Sequence, residues 1–429
     1  MSKTLWVLVF LFFEIILETG VKLASVIVRG LSVKNALIYG VLVIFFSSLL
    51  VGRRRVFDRY IRSTNRLLVW FTLYCASVLL VMRAFPVEGY DWATGVFRFK
   101  AGQLDVVACF FIFMYFSDSL KRASNMLTIL IMIIGLAALG TLVDMLVPSI
   151  SLFGVDENTR RPNGAFGEPN QSAAVFSLFL PFVLAKMLGR SNVKILKLVY
   201  AGVGVIVLAA IVATGSRGGI LGAGTGALLF IWYIKNQLSI TNKMLALLAI
   251  PFMITAVWFV MPAFFQESLI ARFSFLGESG ADYHEASAGR TGIWLHAIAL
   301  WIEKPVFGWG WSGFEIISGG GATHSIYFER LVDTGLIGLT IFVWVLYRLW
   351  RCVFDTMKKS AGNERIYLSG LAAGFLGFNV SLVFVNLYTP ALIAWSFVGV
   401  MIAYANEIRV DRLRRQNSVN KRCANGRDA

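Results

Sequence analysis

Charge is scarce in this 429-residue chain. Asp, Glu, Lys and Arg together make up 15% of it, against 57% apolar residues. A water-soluble fold of that size needs more polar surface, so a soluble globular protein is excluded. Cysteine is also sparse. The four present, Cys75, Cys109, Cys352 and Cys423, form no Cys-x-x-Cys pair and lie in or beside apolar runs or in the basic tail, which supports neither a disulfide framework nor a zinc site. Neither a Gly-x-Ser-x-Gly elbow nor a Walker loop occurs, so serine hydrolysis and cytoplasmic ATP use are not expected. Gly308-Trp309-Gly310-Trp311-Ser312-Gly313 matches a dinucleotide fingerprint by letter, but it follows no strand and opens no βαβ unit, so it is rejected. Asp282-Tyr283-His284-Glu285 is a poor metal cluster, because adjacent loop residues do not converge easily on one ion. Acidic residues are in deficit as well, 24 against 40 basic ones for a net charge of +16. In a soluble protein this would raise nucleic-acid binding. Here it is better explained by basic cytoplasmic connectors, and no nucleic-acid partner is expected.

What the chain does have is length in its apolar runs, each of about 17 to 25 residues, enough to cross a bilayer as helix. They centre near residues 16, 42, 75, 110, 135, 180, 205, 227, 253, 343, 377 and 398. The expected fold is therefore all-α: a polytopic membrane protein with about twelve spans. The first run, residues 5–28, is too long for a signal-peptide core and is read as a retained helix. With a cytoplasmic N-terminus, 27 of the 40 basic residues fall in inside connectors, so both termini are expected in the cytoplasm. With no repeat of fixed period, residues 1–429 read as a single membrane domain. Within it lie a long outside loop at 263–323 and a basic cytoplasmic tail at 407–429.

Long loops between spans are seldom kept without use. The 263–323 loop contains an amphipathic stretch, residues 291–303, expected to lie on or dip into the outer leaflet. Gly218, Gly222 and Gly226 put small residues on one face of the eighth span, where close helix packing is expected. Cations and glycines gather on the outside, at Arg160 and Arg161 before Pro162-Asn163-Gly164, at Ser216-Arg217-Gly218 and at Gly289-Arg290-Thr291. Interfacial arginines commonly snorkel to lipid headgroups. Arg217 and Arg290 sit beside glycines, however, with little stem packing to gain, and a guanidinium fork with nearby backbone N–H groups suits phosphate oxygens. Arg83, Arg160 and Arg272 are weaker candidates, and Arg161 is a possible third cation. His324 follows Gly319-Gly320-Gly321 and enters a span. Its ordinary pKa near neutrality suits a general base acting on a hydroxyl. His284 and His296 have no comparable setting. Trp309, Trp311, Phe314 and Tyr327 fit a sugar-stacking platform, but more readily an interfacial aromatic belt. Glu14, Asp105, Asp144, Asn379 and Asn386 are read as hydrogen-bonding groups between helices rather than a translocation path.

Gly289-Arg290-Thr291-Gly292-Ile293-Trp294, Glu303-Lys304-Pro305-Val306-Phe307-Gly308-Trp309-Gly310, Thr323-His324-Ser325-Ile326-Tyr327 and Asp333-Thr334-Gly335-Leu336-Ile337-Gly338 together resemble the signature region of the O-antigen ligase and O-antigen polymerase superfamily. Ser216-Arg217-Gly218 and the stretch 164–170 are similar to its upstream motifs. The resemblance implies a glycosyltransferase acting at the periplasmic face of a Gram-negative inner membrane. Its donor would be a glycan on undecaprenyl pyrophosphate, its acceptor a sugar hydroxyl of lipid A core, and its surroundings membrane lipids. The family's paired arginines carry over to Arg217 and Arg290, with Arg161 as a possible third pyrophosphate ligand, and its catalytic histidine to His324. Relatives often have asparagine where this chain has Ser325. Cation-held pyrophosphate needs little acid assistance to leave, so the expected reaction is inverting, with no metal and no cofactor. A polymerase of the same superfamily is the nearest alternative, and a lipid-linked glycan transporter a further one.

Overall fold

The computed structural model describes residues 3–20, 26–28, 31–50, 56–147, 150, 152–156, 161–189, 193–237, 266–267, 270, 289–388 and 390–425. Among the described residues the regular structure is helical apart from one short hairpin and one isolated bridge. Its helices are α1 (Lys3–Gly20), α2 (Val33–Leu50), α3 (Arg59–Ala84), α4 (Trp92–Phe99), α5 (Asp105–Phe116), α6 (Leu120–Leu146), α7 (Pro169–Leu188), α8 (Lys194–Ala213), α9 (Arg217–Ile234), α10 (Arg290–Glu303), α11 (Gly313–Ile317), α12 (Ile326–Lys358), α13 (Gly362–Ser381) and α14 (Pro390–Asn425). A π-turn at Lys100–Leu104 joins α4 to α5.

Eleven of the twelve expected span centres fall inside helices, and the one near residue 253 lies outside the described residues. Among the described residues eight helices, counting α4–α5 as one, are long and apolar enough to cross a membrane: α3, α4–α5, α6, α7, α8, α9, α12 and α14. This is a multi-pass membrane protein. Leu80, Leu136, Leu198, Leu228 and Trp232 are each more than 60% exposed. Such side chains on the flanks of spans are what a hydrocarbon surrounding accepts and water does not.

The first apolar run does not stay helical to its end. Helix α1 stops at Gly20, and Val26–Val28 pairs antiparallel with Leu31–Ser32. Val26, Ile27 and Val28 are β-branched and favour the extended backbone.

Helix α7 and the apolar N-terminal part of α14 are the most enclosed of the spans, as central helices must be. The small-residue face of α9 packs on α13. A Cβ on Gly222 would sit 2.5 Å from the Gly377 carbonyl, and one on Gly226 would sit 3.3 Å from the Ala373 carbonyl. The two backbones therefore approach as closely as the glycine spacing anticipates. The end holding the N-terminus of α3 and the C-terminal part of α12 is strongly cationic. There Arg409 pairs with Asp58 at 3.1 Å and donates to the Cys352 carbonyl at 2.7 Å, while Arg348 lies over the Tyr60 ring at 3.9 Å. The candidate site is at the other end.

Candidate functional site

Four chain segments meet at that end, and helix-capping chemistry holds most of them. Glu168 is the N-cap of α7, accepting from Gln171 N–H at 2.8 Å, with Pro169 opening the helix. Proline at the first helical position gives up no needed hydrogen bond. The other Glu168 oxygen accepts from Asn170 at 2.5 Å, and Asn170 Oδ1 accepts from Arg161 at 3.2 Å. Arg161 Nε also donates to the Thr214 carbonyl at 2.5 Å. Arg161 is thus buried, 8% exposed, and ties the loop before α7 to the turn before α9. In that turn Gly215 takes a positive φ of 59°, and Ser216 Oγ caps α9 by accepting from Gly219 N–H at 3.2 Å. Arg217, half-buried, is the first residue of α9, and Arg290, also half-buried, is the first of α10.

His324 is one of only two non-glycine residues with positive φ among the described residues, at 52°. A β-carbon makes that conformation costly, so its surroundings must over-determine it. They do. Thr323 and Ser325 are each 1% exposed. The Thr323 hydroxyl shares its single proton between the Ser325 carbonyl at 2.8 Å and Asn386 Oδ1 at 3.1 Å. Ile326 N–H donates to the Leu382 carbonyl at 3.1 Å, and Trp294 of α10 donates its indole N–H to the Thr323 carbonyl at 3.0 Å. Between these fixed neighbours the imidazole projects to the surface.

The charges act on one another. Crowding by protein lowers the His324 pKa from its ordinary value, Arg290 lowers it further, and Glu168 opposes both. Arg290 is likewise lowered, by burial first and then by Arg217, with Glu168 again opposing. An arginine stays protonated through any such shift. The arrangement is therefore two mutually repelling cations with one carboxylate beside a histidine biased toward its neutral form. It can accept a proton at His324 and welcomes an anion at the arginines.

The site thus brings together Arg217, Arg290 and His324, and fixes Arg161 to their supporting loops. Arg160, Arg272 and His284 lie outside the described residues. Arg83 sits over the Trp92 ring at 5.5 Å, and His296 pairs with Ser318 at 3.3 Å and edges Phe314. In the sequence Glu168 stands out only as part of the 164–170 stretch. Its signal was the acid–proline order of a helix start. Thr323 and Asn386 carried no sequence signal.

Trp309, Trp311 and Phe314 are not belt residues. They are 7%, 2% and 3% exposed. Trp309 backbone N–H donates to the Val332 carbonyl of α12 at 2.9 Å and its indole N–H to the Leu300 carbonyl at 2.7 Å, while Arg330 stacks on Trp311 at 3.7 Å. The glycines at 308 and 310, both with positive φ, let this loop dock on α12, where Asp333 accepts from Ser312 N–H at 2.8 Å. The amphipathic stretch is helical as expected. Ala297 and Leu300 are buried, and Leu295 and Ile302 exposed. Asp105, Asp144, Asn379 and Asn386 each hold a local partner, among them Lys100 at 2.8 Å, Phe153 N–H at 2.9 Å and the Phe375 carbonyl at 2.7 Å for the first three.

Residues 202–343 match the family model described as O-antigen ligase. Arg217, Arg290 and His324 lie within the match, and Arg161 and Glu168 before it. No curated protein matches the chain.

Proposed function

For a multi-pass membrane protein whose segment 202–343 is of the O-antigen ligase and polymerase superfamily, we propose a lipid-linked glycan ligase. It transfers O-antigen glycan from undecaprenyl pyrophosphate to a sugar hydroxyl of lipid A core. The site then faces the periplasm of a Gram-negative inner membrane, and the arginine-rich opposite end faces the cytoplasm with both termini, as the distribution of basic residues favours.

The observation that carries the reading is the crowding of Arg290 against Arg217 beside His324. Two cations held against their own repulsion are prepared for a polyanion. In the reaction, the acceptor hydroxyl oxygen attacks the anomeric carbon and its proton passes to His324. The bond from that carbon to the pyrophosphate oxygen breaks, and its electron pair leaves on the pyrophosphate. Arg217 and Arg290 hold the charge where it forms, and Arg161 adds a third positive charge from its fixed position. A single displacement inverts the anomeric configuration, and no metal is needed in this scheme.

The test uses protein purified in detergent with EDTA, undecaprenyl-pyrophosphate glycan as donor and rough lipopolysaccharide as acceptor. A ladder on lipid A core is expected. Lengthening of the lipid-linked glycan without a ladder would make the protein a polymerase. Neither product from folded protein would return the transporter reading.

A further inference from the structure

Beside the candidate site lies a cavity of about 440 Å³ whose walls are charged but balanced. Its cations are Lys34, Arg98, Lys100 and Arg330, and its carboxylates Glu18, Asp105, Glu315 and Glu329. Each cation meets a lining carboxylate: Lys34 meets Glu18 at 2.8 Å, Arg98 Glu315 at 2.7 Å, Lys100 Asp105 at 2.8 Å and Arg330 Glu329 at 3.3 Å, while Arg330 also reaches Asp333, behind the lining, at 3.3 Å. The pairs come from α1, α2, the α4–α5 segment, α11 and α12, so the wall is assembled from distant parts of the chain.

Two further features shape the cavity. The π-turn at Lys100–Leu104 forms part of its lining, and such single-turn widenings recur at functional sites. Trp311 lines it too, and a β-carbon on Gly102 would sit 3.5 Å from its indole. Glu18 Oε2 is buried and has no hydrogen-bond partner among the described residues, which leaves an acceptor unused in the wall.

The chemistry of the walls selects the occupant. An acyl chain would leave eight charged side chains facing hydrocarbon. A phosphate would find every lining cation already facing a carboxylate. A neutral polyhydroxyl ligand fits, because vicinal hydroxyls donate to carboxylates and accept from guanidinium and ammonium groups without upsetting the balance. The volume is in the range of small-ligand pockets.

The cavity is also wired to the histidine. Glu329 accepts from Asn386 Nδ2, and Asn386 Oδ1 accepts from the Thr323 hydroxyl at 3.1 Å, one residue before His324. We propose that this cavity is the acceptor subsite, binding a neutral sugar of the acceptor glycan so that the neighbouring sugar presents its hydroxyl to His324. The inference rests on the transferase reading above.

Three variants test it. Glu18→Gln and Glu315→Gln each remove one carboxylate, while Ala101→Leu fills the cavity and leaves every ion pair intact, Ala101 being an exposed lining residue. With rough lipopolysaccharide varied at saturating donor, each is expected to raise the acceptor KM about tenfold, the two Gln variants by loss of a hydrogen bond to a charged group and Ala101→Leu by occupying the sugar's space, with donor KM within about twofold of wild type. Calorimetric titration with core oligosaccharide freed of lipid A should show binding to wild type and weaker binding to all three. A rise in donor KM instead, or wild-type acceptor KM in all three variants, overturns the proposal. If the wild type transfers nothing, the transferase reading fails by itself. The titration then still decides: binding weakened in the variants keeps the sugar site, and no binding to wild type removes it.

Discussion

Trp294 donates its indole N–H to the Thr323 carbonyl at 3.0 Å, so the helix that begins with Arg290 is pinned to the residue before His324. The same ring stacks on Phe328 with centroids 5.2 Å apart. One side chain thereby sets the spacing between a candidate pyrophosphate cation and the candidate base. Trp294→Phe keeps the stacking and loses the hydrogen bond. Its expected effect is a kcat lowered by about tenfold to a hundredfold, since misplacement of about 1 Å costs about that much, with unchanged thermal unfolding within about 1 kcal/mol. Wild-type kcat in this variant would show that the contact does not position the site.

The pH profile should report His324. Crowding and Arg290 both lower its pKa from 6.5, so the neutral, base-competent ring persists to lower pH than usual. Transfer should therefore rise with pH along an acid limb whose midpoint lies below 6.5. Glu168 stabilises the protonated ring, so Glu168→Gln should move that midpoint to still lower pH. The variant also weakens the α7 cap, at a cost of about 1 kcal/mol. A midpoint that moves upward, or stays in place, would separate Glu168 from the histidine.

Much of this arrangement is legible in the residues themselves. Apolar runs located the spans because a bilayer imposes their length, and Gly218, Gly222 and Gly226 announced a close crossing because nothing else permits one. Arg217, Arg290 and His324 stood out because cations and a histidine at an outer membrane edge lack a packing reason. The tryptophans misled, since the same residue serves an interface belt and a buried loop, and only Asp333 holding Ser312 N–H decides between them. The link from Thr323 through Asn386 to Glu329 joins residues up to 63 positions apart, and no local pattern records such a pairing. The same holds for the cavity, whose ion pairs unite segments that composition cannot bring together.

The packing of α9 on α13 gives a prediction about stability rather than chemistry. A methyl group at Gly222 would press on the Gly377 carbonyl at 2.5 Å, backbone that cannot rotate away. Gly222→Ala is expected to destabilise the folded protein by about 1–3 kcal/mol, seen as a lower Tm in detergent. Gly224, which has open space around its Cβ direction, is the control: Gly224→Ala should leave Tm unchanged or raise it, since alanine is the better helix former by about 1 kcal/mol. Equal losses at both positions would mean that the crossing is looser than described.

Removing a charge should separate the roles of the three site residues. Arg217→Ala and Arg290→Ala are each expected to lower kcat by about a hundredfold to a thousandfold, the usual effect of deleting one group that stabilises developing charge. Lysine at either position keeps the charge but not the planar fork, so Arg217→Lys and Arg290→Lys should recover part of the rate. His324→Ala should cost about a hundredfold to ten-thousandfold, the range of general-base catalysis, and should flatten the acid limb. Full activity in His324→Ala would remove the base from the mechanism and leave the arginines alone in it. A loss without any change in the pH profile would instead give the histidine a binding role. Because Arg290 lowers the His324 pKa, Arg290→Lys should leave the midpoint near wild type, whereas the residual activity of Arg290→Ala should show it raised. Only an arginine that acts on the histidine through its charge predicts that difference.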